Sequence, residues 1–324
     1  METSSSCKVL GQNRALPADE RLPLLGISAG PRSQVIAKEQ TQCASGSALS
    51  PMSSVGLPPP SKTAATEEGN MDFEVSGYRM HYGLFGDSAG EPLLWLHGWT
   101  GSGEDWKYIF KDPPAGFRLI GPDMRGNGAS TGFEGKHSFR ESAQDMFALL
   151  DHLGVRRAKA IGLSGGGITL LHMATQQPDR IEAMITISAP PYFPPQARAI
   201  QRQFSFASLS EAEKTAMRER SKGRQKQIEW LMEQTQAMAA TYDDVNFTPP
   251  VLGTITARTL IIFGDIDPLY PVRLAFELRE SIPRSSLWVV PNAGHGPVFG
   301  PNAVRFGETA NAFLRGDWPR KGTT

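Results

Sequence analysis

The chain has 324 residues, of which 40% are hydrophobic and 20% are charged, a composition typical of globular proteins that bury a substantial core. Its 33 basic residues balance 33 acidic ones, so no overall charge draws it to nucleic acid or anionic lipid. We therefore expect a small-molecule ligand, no nucleic-acid partner and no membrane contact, and the oligomeric state stays open.

The positions of the cysteines and the lengths of the apolar runs exclude further classes of protein. Cys7 and Cys43 are the only cysteines, so the rest of the chain has no internal disulfide and no thiolate for zinc binding or nucleophilic attack. No apolar run approaches the roughly 20 residues that cross a bilayer. The first residues lack the basic leader of a secretory signal, so the cytoplasm is the default expectation.

The composition also divides the chain into segments. Residues 1–70 are rich in small and polar side chains without periodicity, which predicts disorder. Alternatively, this stretch reflects the choice of start site, because Met71 directly precedes the first strand-like segment. We expect a core in two parts, 71–189 and 251–318, a helical cap at 190–250 between them, and a flexible tail at 319–324.

Within the core, strand-like and helix-like segments alternate, which indicates an α/β fold with a mostly parallel sheet flanked by helices. The predicted strands are short and rich in apolar and β-branched residues, and they cover 79–85, 92–96, 117–121, 158–163, 183–188, 258–263 and 286–290. The predicted helices show apolar residues at helical spacing or follow a Pro or Gly signal, and they cover 138–153, 165–177, a segment after Pro271 and 304–314.

The interval 190–250 breaks this alternation, because it has no strand character over roughly 60 residues. It contains a capping box at Ser210–Glu213 and apolar residues at helical spacing. Its aromatic and methionine side chains are available either to line a pocket or to pack the cap on the core. Eight basic residues against three acidic ones between 198 and 226 indicate a solvated helix face, or else a surface that steers an anionic substrate or rests near a membrane surface.

The strongest local signal is the segment Gly162-Leu-Ser164-Gly-Gly166, where a buried strand gives way to a helix. A serine on such a tight turn presents its hydroxyl at the head of the helix, among outward-pointing N–H groups. The alternative is a glycine-rich turn with an incidental serine. The strand–turn–helix context favours Ser164 as a nucleophile.

A serine hydroxyl needs a base, and the base needs an orienting acid. His295 follows the last predicted strand in a loop of small residues, so we predict that it is the base. Asp265 and Asp267 both follow the strand 258–263. We prefer Asp267, because it lies farther into the loop and precedes Pro268, which leaves Asp265 to form the turn.

Acyl transfer also needs donors for the developing oxyanion. The segment Leu96-His-Gly-Trp99-Thr-Gly101 follows an early strand, so the backbone N–H groups of Trp99 and Gly165 are the predicted oxyanion hole. We expect His97 to be a packed, hydrogen-bonded residue without a catalytic role.

With these motifs the chain resembles the α/β-hydrolase superfamily from Met71 to about Trp318, in its serine-nucleophile, esterase- and lipase-like branch. The segment 123–130 is similar to a loop of that superfamily, which implies structural roles for Asp123 and Arg125. A serine at the nucleophile position departs from the dehalogenase and epoxide-hydrolase branches, which use a carboxylate.

The resemblance implies a carboxylic-ester hydrolase that forms an acyl-enzyme on Ser164 and needs neither a metal nor an organic cofactor. Hydrolysis of lactones, thioesters or activated carbon–carbon bonds uses the same groups. Two other classes remain open: a cofactor-free perhydrolase, in which peroxide replaces water, and a ligand receptor built on the hydrolase fold.

Overall fold

The computed structural model of the chain describes residues 67–317. The expectations for residues 1–66 and for the tail 319–324 lie outside the described residues. Residues 67–70 correct the predicted boundary of disorder at residue 70, because they form the start of the first strand. Glu67, Glu68, Gly69 and Asn70 have low strand propensity, and their pairing with the next strand overrides it.

Eight strands form one sheet, and seven of them lie within a few residues of the predicted segments. In chain order they are β1 Glu67–Val75, β2 Tyr78–Gly86, β3 Glu91–Leu96, β4 Phe117–Pro122, β5 Ala158–Leu163, β6 Ile181–Ile187, β7 Arg258–Gly264 and β8 Ser285–Val290.

The strand order is β1-β2-β4-β3-β5-β6-β7-β8. β1 and β2 form a hairpin through Ser76 and Gly77, which both have positive φ, and β2 pairs antiparallel with β4. All later pairs are parallel. The carboxyl ends of β3, β5, β7 and β8 therefore meet at one edge of the sheet, where open α/β folds collect their functional groups.

The helices connect the strands and cover both faces of the sheet. In chain order they are α1 Phe139–His152, α2 Gly165–Gln176, α3 Pro195–Gln203, α4 Glu211–Arg220, α5 Gln225–Met238, α6 Pro249–Leu252, α7 Arg273–Ser281 and α8 Ala303–Arg315. Within residues 67–317, no helix combines the length and the hydrophobicity that crossing a bilayer requires.

Two apolar clusters hold the layers together. One packs α1, α2 and α7 on a face of the sheet and continues into the helices α3 to α5. The other covers the opposite face, where α8 and the segment around Trp106 pack on the strands. The central strands are buried on both sides, as parallel strands are, which explains their continuous apolar sequence.

The helical insertion between β6 and β7 has helices where the sequence predicts them. The capping box is confirmed: Ser210 Oγ accepts from Glu213 N, and Glu213 Oε2 accepts from Ser210 N at 2.8 Å. α6 crosses the predicted boundary at residue 250, because Pro249 and Pro250 start a short helical turn there.

The insertion is tied to the core by hydrogen bonds from side chains to backbone carbonyls. Arg224 donates to the carbonyl oxygens of Gly128, Ala129 and Ser130 at 2.7 to 3.3 Å. Gln227 Nε2 donates to two carbonyls of the same loop. These bonds hold the start of α5 on the loop that follows β4.

A second tie joins the end of the insertion to α1. The carboxylate of Asp244 accepts from Ser138 Oγ at 2.7 Å and from the backbone N–H of Phe139 at 2.8 Å. These groups lie at the start of α1, where N–H groups lack helical partners and the helix dipole favours an anion. The Asp244 carbonyl also accepts from His172 Nε2 at 2.6 Å.

The basic residues of the insertion are not one solvated face. Arg198 is 95% buried and donates to four backbone carbonyls, including those of Phe193 and Thr241. Arg224 is bound to the core loop, as described above. The expectation of a solvated charged face is therefore wrong for these two residues, because their guanidinium groups bind backbone carbonyls of the insertion and of the core loop.

Candidate active site

Ser164 lies between β5 and α2 on a strained turn. Its backbone has φ 49° and ψ −114°, a conformation that costs energy for a residue with a side chain. The Ser164 N–H donates to the carbonyl of Ile187 at 2.7 Å, which holds the turn on the neighbouring strand β6. The turn presents the serine hydroxyl at the carboxyl edge of the sheet.

The glycines around Ser164 are required by close backbone contacts. A Cβ at Gly162 would lie 2.6 Å from the carbonyl oxygen of Gly166. A Cβ at Gly166 would lie 2.3 Å from the carbonyl oxygen of Leu96. Since real Cβ atoms do not approach backbone atoms this closely, the spacing of glycines in the motif follows from the packing of the turn on β3 and α2.

A chain of two hydrogen bonds connects the three residues predicted as a triad. His295 Nε2 lies 2.9 Å from Ser164 Oγ, and His295 Nδ1 lies 2.9 Å from Asp267 Oδ2. Both distances allow direct proton sharing. The Asp267 side chain is fully buried, whereas 16% of the His295 side chain is exposed.

Asp267 is held by more than the histidine. Its Oδ1 atom accepts from the backbone N–H groups of Leu269 at 2.8 Å and Tyr270 at 3.1 Å. These bonds stabilise the ionised carboxylate and fix its second oxygen toward His295. The Tyr270 ring packs edge-on against the imidazole with a centroid distance of 5.2 Å, and burial beside Asp267 raises the pKa of its hydroxyl.

Asp265 has a different position. It is exposed, and its Oδ1 accepts from the backbone N–H of Ala293 at 3.2 Å. That bond joins the loop after β7 to the loop after β8, which carries His295. Asp265 therefore supports the loop, and the structure brings only Asp267 of the two carboxylates to His295.

The two predicted oxyanion donors lie side by side. An ideal Cβ on Gly165 would be 3.3 Å from the backbone nitrogen of Trp99. Neither N–H donates to another residue within 67–317, since Gly165 is at the first turn of α2 and Trp99 is in a loop. A ring carbon of Phe139 lies 3.2 Å from the same ideal Cβ position, so the space beside Gly165 is filled.

The sequence did not indicate what holds Trp99. Its indole Nε1 donates to Thr235 Oγ1 at 2.8 Å, and Thr235 in turn donates to the carbonyl of Leu231. Thr235 lies in α5, so the insertion directly supports the loop that carries the N–H of Trp99. A lone threonine on an amphipathic helix carries no signal of this contact, because the two residues are 136 positions apart.

His97, Asp123 and Arg125, for which structural roles were expected, each form hydrogen bonds with other groups of the core. His97 is fully buried, accepts from Met124 N at Nε2 and donates from Nδ1 to the Gly98 carbonyl. Asp123 accepts from backbone N–H groups in two loops. Arg125 donates two hydrogen bonds of 3.0 Å to buried Asp145.

Two cavities open at Ser164. The larger, of about 140 Å³, is bordered by Ser164, His295, Trp99 and side chains from α4, among them Arg220. The smaller, of about 30 Å³, is bordered by Ser164, Gly165 and side chains from α3 and α5. No group of three His, Cys, Asp or Glu residues in the described range 67–317 is arranged to hold a metal ion.

A sequence model of the α/β-hydrolase fold matches residues 91–211, which include the Ser164 turn and the loop of Trp99. The order Ser164, Asp267, His295 along the chain is also the order of that fold. The chain belongs to the α/β-hydrolase superfamily. Its eight-stranded, mostly parallel sheet with flanking helices is the architecture of this superfamily.

Several superfamily members resemble the chain in sequence. A soluble epoxide hydrolase from Corynebacterium sp. (strain C12) is 35% identical over 36% of this chain, which spans only 40% of that protein. A pimeloyl-[acyl-carrier protein] methyl ester esterase from Vibrio campbellii is 25% identical, with 67% of this chain and 92% of that protein covered. The 2-hydroxy-6-oxo-6-phenylhexa-2,4-dienoate hydrolase from Comamonas testosteroni is 25% identical, with 75% of this chain and 93% of that protein covered.

Among solved structures, a meta-cleavage product hydrolase from Pseudomonas fluorescens superposes with a TM-score of 0.61 at 20% identity. The superposition covers 76% of this chain and 98% of that one. At this identity the likeness concerns the α/β-hydrolase fold alone.

Proposed function

We propose that this α/β-hydrolase cleaves a carboxylic ester or a related acyl bond through an acyl-enzyme on Ser164. The hydrogen-bonded chain from Ser164 through His295 to Asp267 is the observation that carries the proposal. Such a chain converts a weakly nucleophilic hydroxyl into an attacking group, because the imidazole accepts the proton as the new bond forms.

In the first half of the proposed reaction, Ser164 Oγ attacks the carbonyl carbon and its proton moves to His295 Nε2. Asp267 stabilises the resulting imidazolium. The carbonyl oxygen becomes an oxyanion and accepts from the N–H groups of Trp99 and Gly165. Collapse of the intermediate breaks the bond to the leaving group, which receives the proton from His295, and the acyl group stays on Ser164.

In the second half, water attacks the acyl carbon and gives one proton to His295 Nε2. The second intermediate breaks the bond to Ser164 Oγ, which takes the proton back, and the carboxylic acid leaves. All proton transfers pass through His295. We further propose that the insertion acts as a cap, since it borders both cavities and its Thr235 holds the indole of Trp99.

The test compares the wild type with Ser164→Ala on 1-naphthyl esters and with a fluorophosphonate that labels activated serines. We expect turnover and stoichiometric labelling of the wild type and the loss of both in Ser164→Ala. Ser188→Ala is the matched control, because Ser188 is also buried and also has positive φ at the end of a neighbouring strand. Labelling of Ser164→Ala at the wild-type rate would contradict the proposal.

Carbon–carbon bond hydrolysis is a second candidate. It is favoured by the similarity to the Comamonas testosteroni hydrolase, which covers 93% of that protein. Loss of the absorbance of 2-hydroxy-6-oxo-6-phenylhexa-2,4-dienoate on incubation with the protein tests it directly. Turnover of this compound with no turnover of any ester would favour the second candidate over the first.

A further inference from the structure

The two cavities at Ser164 differ in their access to His295. The larger cavity is bordered by His295, and the smaller one is not. In the proposed reaction the leaving group takes its proton from His295 Nε2, so it must lie on the side of the imidazole. The larger cavity therefore receives the leaving group, and the smaller cavity receives the acyl part of the substrate.

The acyl cavity is short and mainly apolar. Its volume of about 30 Å³ leaves room for only a few heavy atoms beyond the carbonyl carbon. Phe193, Phe204 and Met238 of the insertion close it, together with Leu269 and Ile168 of the core. A long acyl chain does not fit without movement of the insertion.

Gln201 is one of the polar side chains in this mainly apolar wall, together with Thr235 and Tyr270. The residue is 93% buried, and its Oε1 atom is fully enclosed without a hydrogen-bond donor. Its Nε2 group donates to no residue within 67–317 either. An enclosed carbonyl oxygen without a donor is unfavourable, because it has lost its hydrogen bonds to water without replacement.

The helix that carries Gln201 is held in place. α3 also contains Arg198, whose guanidinium group donates to carbonyls at the end of α5 and in the following loop. Gln201 lines the acyl cavity and is thus carried by a fixed helix. Rotation about its last side-chain bond exchanges Oε1 and Nε2, so it can meet a donor or an acceptor.

We propose that the acyl group of the substrate is short and carries a hydroxyl, and that this hydroxyl pairs with the amide of Gln201. A hydroxyl both donates and accepts, so it pairs with whichever of Oε1 and Nε2 faces the cavity. Gln201 is then a specificity-determining residue. This inference rests on the proposed acyl-enzyme chemistry, and it adds the class of acyl group: a short hydroxyacyl.

A matched pair of substrates tests the inference. The 1-naphthyl esters of 2-hydroxypropanoate and 2-methylpropanoate have the same leaving group and differ in one hydroxyl against one methyl. We expect the wild type to prefer the hydroxy ester by at least about tenfold in kcat/KM, because a site with a buried polar group rejects the analogue that leaves it unpaired. Spontaneous hydrolysis of each ester is measured and subtracted.

The variant Gln201→Met retains the length of the side chain and removes the amide. We expect it to lower kcat/KM for the hydroxy ester and to raise it for the methyl ester, so that the preference falls at least tenfold. Gln196→Met is the control, because Gln196 lies on the same helix but is exposed and bonds to the Pro268 carbonyl. Thermal unfolding and phosphonate labelling report whether each variant is folded with a reactive serine.

The outcomes separate this inference from the proposed function. Turnover of both esters, with the same preference in the wild type and in a labelled, folded Gln201→Met, would overturn the role of Gln201 and leave the esterase proposal standing. No labelling and no turnover in the wild type would overturn the acyl-enzyme chemistry and this inference with it.

Discussion

His295 Nδ1 lies 2.9 Å from Asp267 Oδ2, and the second oxygen of that carboxylate is held by two backbone N–H groups. Asp265, two residues earlier, instead accepts from Ala293 N. The two carboxylates of this loop thus have different partners, Asp267 the imidazole of His295 and Asp265 a backbone N–H. We therefore expect different effects when each is substituted.

Asp267→Asn should lower kcat by about 10³- to 10⁴-fold, because an amide neither holds the required tautomer of His295 nor stabilises its imidazolium form. Asp265→Asn should lower it less than tenfold, because an asparagine oxygen still accepts from Ala293 N. Steady-state kinetics with 1-naphthyl acetate measures both. A larger loss in Asp265→Asn than in Asp267→Asn would contradict the assignment.

Gly165→Ala should reduce turnover without unfolding the protein. The added Cβ would meet the Trp99 nitrogen at 3.3 Å and Phe139 at 3.2 Å, so it pushes apart the two proposed oxyanion donors. We expect kcat to fall by about tenfold to a hundredfold, less than the about 10²- to 10³-fold loss that follows removal of a donor, because both N–H groups remain. In the control Gly307→Ala, on α8, the added Cβ makes ordinary contact with Phe110 at 3.6 Å, and kcat should not change. Equal kinetics for the two variants would refute this role.

The contact of Arg224 with the loop after β4 predicts that it stabilises the docked insertion. Arg224→Ala removes a charged donor from three carbonyls and leaves them partly buried. We expect the free energy of unfolding to fall by about 2 to 4 kcal/mol. Urea denaturation measures this. Lys226→Ala, at an exposed position in the first turn of α5, should stay within about 0.5 kcal/mol of the wild type, and a similar loss in both variants would argue against the docking role.

The burial of His137 predicts that the protein becomes less stable as the pH falls. Both ring nitrogens are enclosed without a hydrogen-bond partner among the aromatic rings of Trp99, Phe139 and Trp230. Burial lowers the pKa of His137 to about 3, although the negative charge of Asp244 acts in the opposite direction and Arg125 lowers it further.

Well above pH 6.5, His137 is neutral in both the folded and the unfolded state, so its protonation does not change the free energy of unfolding. Between pH 6.5 and about 3 only the unfolded state binds the proton, so stability falls as the pH falls. At pH 5 the loss from this residue is about 2 kcal/mol relative to pH 7.5. His137→Phe should remove that part of the pH dependence in urea denaturation. An unchanged difference between pH 7.5 and pH 5 would show that His137 does not cause it.

Local sequence patterns predicted much of this arrangement. Ser164, Asp267 and His295 each follow a short apolar strand, and parallel strands bring such positions to one edge of the sheet. The turn chemistry around Ser164 and the capping box at Ser210 are also local, so they are visible in a few consecutive residues.

The remaining features depend on contacts between distant parts of the chain. Nothing near Thr235 or Gln201 indicates that one holds Trp99 and the other borders the acyl cavity. The strand β1 was not among the predicted strands, and its first residues, 67–70, were assigned to the disordered stretch, because they become a strand only by pairing with β2. Asp244 and Arg224 have charges typical of a surface, and only the docked insertion shows that each binds backbone groups of the core.

The most direct measurement of the central proposal is the mass of the protein during turnover. The wild type is mixed with 1-naphthyl acetate, quenched in acid within the first turnovers and digested for mass spectrometry. We expect an acetyl group on the peptide that contains Ser164, which appears with the burst of naphthol and disappears as the substrate is exhausted. Naphthol release with no acetyl group on Ser164, at a rate unchanged in Ser164→Ala, would contradict the acyl-enzyme mechanism.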